Sequence, residues 1–183
     1  MRLGFLPVDL ARWDSAPPGD LLAVGIWSDV RPPRGAAGLL DWRLCGKLSA
    51  LMAAGKVAAA PDEQTLIPTG RRLPWRMVLF AGLGARADFS ERRFVAAVHR
   101  TLMTMRGLKL TRLTMALPGR DAERILPRRA LQLFVDESEK TLPAVLDDLT
   151  LIEPVPAQKE LAELARQRAA RAAHAPPAAP RAR

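Results

Sequence analysis

Residues Trp75 to Gly84 read WRMVLFAGLG, an apolar run that passes straight into a Gly-x-Gly turn, and a helix-forming stretch opens six residues later at Ser90. Buried strand, glycine turn and helix in that order mark the edge of an α/β sheet, where ligands commonly bind. Working outwards, Asp20 to Trp27 (DLLAVGIW) is a second continuous apolar run between turn signals, as expected of a strand buried on both faces. Between the two, Leu39, Leu40, Trp42, Leu44, Leu48, Leu51 and Met52 recur at near-helical spacing up to Gly55 and predict one long helix. Trp42 and Leu44 are expected in its core face. Gln64 to Pro68 is a brief strand that pairs as a hairpin with the run from Trp75.

Beyond the glycine turn, Asp88, Phe89 and Ser90 supply a helix cap, and Phe94, Val95, Val98, Leu102, Met103 and Met105 form an apolar stripe that ends at Gly107. Arg92, Arg93, Arg100 and Arg106 lie on the opposite face, as either a solvated surface or a binding stripe. Thr111 to Leu117 predicts a strand that closes at Pro118-Gly119. A helix runs from Asp121 towards Glu137, with Pro127 near its start or at a kink. Asp148 to Val155 predicts a last strand, Lys159 to Arg171 a charged helix, and Ala172 to Arg183 a mobile Ala/Pro/Arg tail. Leu3 to Val8 is a short N-terminal strand. Strands alternating with helices indicate an α/β fold, a mixed and mainly parallel sheet flanked by helices. The expected organisation is an N-terminal strand and linker over residues 1–19, an α/β domain over 20–156, and a charged helix and tail over 157–183.

The 183 residues are 49% hydrophobic, enough for one domain with a sizeable core. No apolar run approaches the roughly 20 residues that span a bilayer, and Asp9 and Asp14 interrupt any signal-peptide core, so a cytoplasmic protein is expected. The formal charge is +9, but five arginines and no acid fall between Leu164 and Arg183, which leaves 23 basic against 19 acidic residues in the body. Nucleic-acid binding is therefore expected only through the basic tail. Cys45 is the single cysteine, so an internal disulfide and a thiolate metal cluster are excluded, and a buried side chain is expected there. A nucleophilic Cys45 would need a histidine, and only His99 and His174 exist.

Gly82-Leu83-Gly84 could bring backbone amides close to a phosphate, and Pro118-Gly119-Arg120 could join it at one mouth, with Arg120 meeting the anion. Tight-turn geometry accounts for the same glycines. The third glycine of a dinucleotide fingerprint and the Lys-Ser/Thr of a triphosphate loop are missing. The acidic pairs Asp147/Asp148 and Asp136/Glu137/Glu139 point in different directions and read as surface, and no zinc-hydrolase or serine-hydrolase signature occurs.

In series, DLLAVGIW, GLLDWRLCGKLSALM, QTLIP, WRMVLFAGLGARADFSERRFVAAVHRTL and LTRLTMALPG resemble the N-terminal domain of leucyl aminopeptidases over about residues 20 to 120, with an extension to Val155. Leu40-Asp41 and Gly46-Lys47-Leu48-Ser49 match the helix that follows that family's strand. The resemblance implies a macrodomain-like α/β fold with a role in assembly and regulation. Peptide hydrolysis in the family belongs to a separate C-terminal domain with two metal ions, and the 183 residues stop before it. No catalytic or metal residue carries over, and no cofactor is expected. Two readings follow. One is a non-catalytic module acting through a protein partner or self-association; the other is a macrodomain-type binder or hydrolase of ADP-ribose or a related nucleotide, using Gly82, Gly84, Gly119 and Arg120.

Overall fold

Alternation within the two apolar runs divides their side chains between two cores. The computed structural model describes residues 2–142 and 146–174, with side chains through residue 167. Its strands are β1 (Arg2–Leu6), β2 (Gly19–Ile26), β3 (Gln64–Pro68), β4 (Trp75–Gly82), β5 (Arg112–Met115) and β6 (Asp148–Ile152). They form one sheet in the order β1-β6-β5-β2-β4-β3, parallel throughout except where β3 returns antiparallel on β4. The helices are α1 (Leu10–Asp14), α2 (Gly35–Arg43), α3 (Lys47–Ala53), α4 (Glu91–Gly107), α5 (Pro127–Thr141) and α6 (Val155–His174). Leu21 and Ala23 of β2 and Leu79 of β4 face a core shared with α4, α5 and α6. Leu22, Val24 and Ile26, with Val78 and Phe80, face the core shared with α1, α2 and α3. A side-chain period of two thus makes each strand serve both layers.

Local signals place α4 and α5. Ser90 caps α4 by accepting from the Arg93 amide at 3.4 Å. Phe94, Ala97, Val98, Thr101, Leu102 and Met105 then bury one stripe of it. Pro127 sits in the first turn of α5, where its missing N–H costs nothing.

Three expectations are corrected. The single helix expected over residues 39–55 is two, because Cys45 (φ 57°) and Gly46 (φ 72°) adopt left-handed backbone between α2 and α3. Asp41 stabilises the break: its carboxylate accepts from the amides of Leu48 (2.8 Å) and Ser49 (3.1 Å) and from the Ser49 hydroxyl, and so caps α3 from the preceding helix. Trp42 is not in the core but 67% exposed, since it lies on the outer side of the last turn of α2. Cys45 is exposed at the elbow rather than buried. The N-terminal strand expected over Leu3 to Val8 is β1, which pairs with β6, and the fully buried Trp13 after it belongs to the main core. Trp13 donates its indole N–H to the Pro7 carbonyl at 2.7 Å and meets Trp75 edge-on at 6.5 Å. The expected charged helix is α6, which begins at Val155 and carries Ala172 to His174; the rest of the expected mobile tail, residues 175–183, lies outside the described residues.

Candidate functional site

The strand order creates one switch point. From β2 the chain leaves through α2 and α3 towards β3 and β4, whereas from the adjacent β5 it leaves through α5 towards β6. The crevice beyond the C-terminal ends of β2 and β5 is where open α/β sheets place ligands. Trp27 enters it from β2, Leu83 and Gly84 from β4, Phe89 from the turn before α4, and Pro118 to Asp121 from β5.

Here the crevice is filled by the protein's own side chains. Trp27 is 5% exposed, meets Phe89 edge-on with ring centres 5.2 Å apart, and donates its indole N–H to Asp121 Oδ2 at 2.8 Å. The cavities found there among the described residues measure about 10 Å³ and about 20 Å³, both bordered by Gly25, Ala37 and Asp121. That is room for roughly one water each, against the several hundred Å³ of a typical ligand pocket. Burial pushes the Asp121 carboxyl up from its ordinary value; the Trp27 indole, the amides of Asp121 and Ala122 and the charge of Arg86 partly offset this.

The four residues singled out in the sequence all lie at these strand ends, each already engaged. Gly82 donates its amide to the Glu63 carbonyl at 2.8 Å, and a Cβ there would stand 1.9 Å from the Ala60 carbonyl oxygen, so the glycine allows the loop before β3 to press against β4. Gly84 donates to the Ala59 carbonyl and its own carbonyl accepts from Ser28, both at 3.0 Å. Gly119 (φ 75°) lies under Phe89, whose ring would be 2.3 Å from any Cβ added there. Arg120 turns away to Glu153, a fully buried carboxylate. Its Nε and one terminal nitrogen donate to the two oxygens at 2.9 and 3.0 Å, and the other donates to the Ile125 carbonyl at 2.8 Å.

The sequence reading missed Trp27 and Asp121 as the residues that close the crevice. A signal existed: Trp27 is the last residue of the DLLAVGIW run, and Asp121 directly follows the Pro-Gly-Arg turn. The arginines of α4 divide, with Arg100 bonded to the Pro61 carbonyl and Arg93 3.7 Å from Asp88, while Arg92 and Arg106 are exposed. His99 Nδ1 lies 2.8 Å from Glu137, between α4 and α5. Among the described residues no group of three or more His, Cys, Asp or Glu is placed to hold a metal ion, and no helix is long and apolar enough to cross a membrane.

A helix-flanked, mainly parallel six-stranded sheet with its crevice at this switch point defines a macrodomain-like α/β protein. The sequence model of the cytosol aminopeptidase family's N-terminal domain matches residues 23–141, and the chain belongs to that family. Among solved structures, the macrodomain of Mycobacterium tuberculosis DarG superposes with a TM-score of 0.64 at 15% identity, covering 83% of this chain and 98% of that one. A Trypanosoma brucei macrodomain in complex with ADP-ribose gives 0.64 at 15% identity, covering 81% and 67%. A tomato leucine aminopeptidase variant gives 0.59 at 16% identity, covering 87% of this chain but only 34% of that enzyme. No curated protein matches the sequence.

Proposed function

We propose that this domain works by contact with another protein, or with copies of its own chain, as an assembly or regulatory module that performs no reaction itself. The observation that carries the reading is the packing at the strand ends: Trp27 meets Phe89 there, and the cavities found beside them among the described residues measure only about 10 and 20 Å³. The family supports it, because the matched region is the N-terminal domain of the aminopeptidases. The family's cytosolic label supports a cytoplasmic place of work.

A second reading, a binder or hydrolase of ADP-ribose or a related nucleotide, draws support from the fold it shares with a macrodomain solved with ADP-ribose. Gly82, Gly84, Gly119 and Arg120 would then meet the phosphates. Such a ligand would have to displace Phe89 from Gly119, part Trp27 from Asp121 and draw Arg120 off a buried carboxylate, so its binding energy would be reduced by all three costs. Titration calorimetry with ADP-ribose, run beside light scattering across a range of protein concentrations, separates the readings. The first expects no heat of binding. Saturable micromolar binding by a strict monomer would overturn it.

A further inference from the structure

We infer that the elbow between α2 and α3 is a docking surface for an acidic protein segment carrying an apolar anchor residue; the inference rests on reading the domain as an interaction module. Trp42 stands 67% exposed on the last turn of α2, on an open groove of about 710 Å³ that Pro32, Pro33, Asp41, Arg43 and Cys45 also border. Its presentation is rigid. The Arg43 guanidinium lies 5.5 Å from the indole centre and is itself paired with Asp14, while the Asp41 cap locks α3 against α2. A large amphipathic ring held beside an open groove is the kind of residue on which interface energy concentrates.

The charge around it chooses the partner. Arg31 and Arg34 flank the two prolines in sequence and Lys47 follows Gly46; all three are exposed, Arg34 at the edge of the small cavity beside Trp27, and none makes an ion pair or hydrogen bond among the described residues. Arg72 reaches only the Cys45 sulfur, at 3.6 Å, and neighbouring Arg71 is likewise unpaired among the described residues. The two acids of the elbow are already committed, Asp14 to Arg43 and Asp41 to the start of α3. Such a field attracts an acidic segment. A second copy of this chain fits poorly, because an isologous contact would set these cations against themselves. A nucleic-acid strand also fits less well: base stacking uses a series of aromatic faces, and here one indole has one face under Arg43.

The test is a selection from a random peptide library against the full chain, followed by fluorescence titration of the labelled winners. Winners rich in Asp and Glu around a Trp, Phe or Leu are expected. Trp42→Ala should weaken them at least about 30-fold, the value of a 2 kcal/mol hot spot. The paired charge reversals Arg71→Glu and Arg72→Glu, and added salt, should weaken them as well. Because Trp42 is exposed, its variant should melt close to the parent, which keeps folding out of the comparison. Winners indifferent to Trp42 would overturn this surface while leaving the module reading standing. Failure to enrich any peptide, together with ADP-ribose binding by a monomer, would sink both. Tighter Trp42-dependent binding of oligothymidylate would make the elbow a nucleic-acid surface, and loss of a dimer in Trp42→Ala would make it a self-interface; either result overturns the inference.

Discussion

Replacing Arg120 separates a ligand-binding arginine from one that holds the fold. Glu153 is completely buried, and both of its oxygens accept from Arg120. Arg120→Met keeps most of the aliphatic stem but strands a carboxylate inside the protein and frees the Ile125 carbonyl. Breaking one side of a buried pair costs about 3–5 kcal/mol, because the remaining charge has lost both water and partner. For a chain of this size, each kcal/mol lowers the melting temperature by roughly 2–4 °C, so a fall of about 6–20 °C is expected. The assay is urea unfolding with a matched thermal melt, repeated for Arg120→Met/Glu153→Leu. Removing both charges should recover most of the loss, since apolar replacement of a buried pair is often near neutral. If Arg120→Met melts within about 2 °C of the parent, the arginine is not spent on the fold and is free to meet an anion.

Asp41→Ala removes a cap that accepts three hydrogen bonds at the start of α3, and urea unfolding should show a loss of about 1–3 kcal/mol. Gly119→Ala forces a Cβ into the Phe89 ring and a non-glycine residue into left-handed backbone, so destabilisation above about 1 kcal/mol is expected, with a change in near-ultraviolet circular dichroism from the Trp27–Phe89 contact. Asp121→Asn tests the raised carboxyl: a group held above its unfolded value contributes stability at low pH that is lost as pH rises through its folded value. The variant keeps an acceptor for the Trp27 indole without the charge. It should therefore be the more stable protein near neutrality, and the two stability curves should converge below the unfolded value of 3.8.

Much of the fold was legible because its signals are local. The Trp75 run and the DLLAVGIW run became β4 and β2, and the Ser90 cap and the Phe94 to Met105 stripe became α4. What was missed depends on contacts far apart in sequence or on geometry that periodicity cannot see. Leu40, Leu44, Leu48 and Met52 all face the core on both sides of the Cys45–Gly46 elbow, so their spacing hid the break that the Asp41 cap sustains. The place of β1 depends on β6, almost the length of the chain away. The crevice is the clearest case. Glycines at strand ends look alike whether they leave room for a phosphate or for another part of the chain, and only the positions of Ala60 and Phe89 tell the two apart.

The central claim, that the protein itself fills the crevice at the switch point, is tested most directly by the indole N–H resonance of Trp27. With its hydrogen bond to Asp121 and near-complete burial, that proton should exchange slowly and stay unshifted in millimolar ADP-ribose. Rapid exchange in the free protein, with a saturable shift as ADP-ribose is added, would contradict the account.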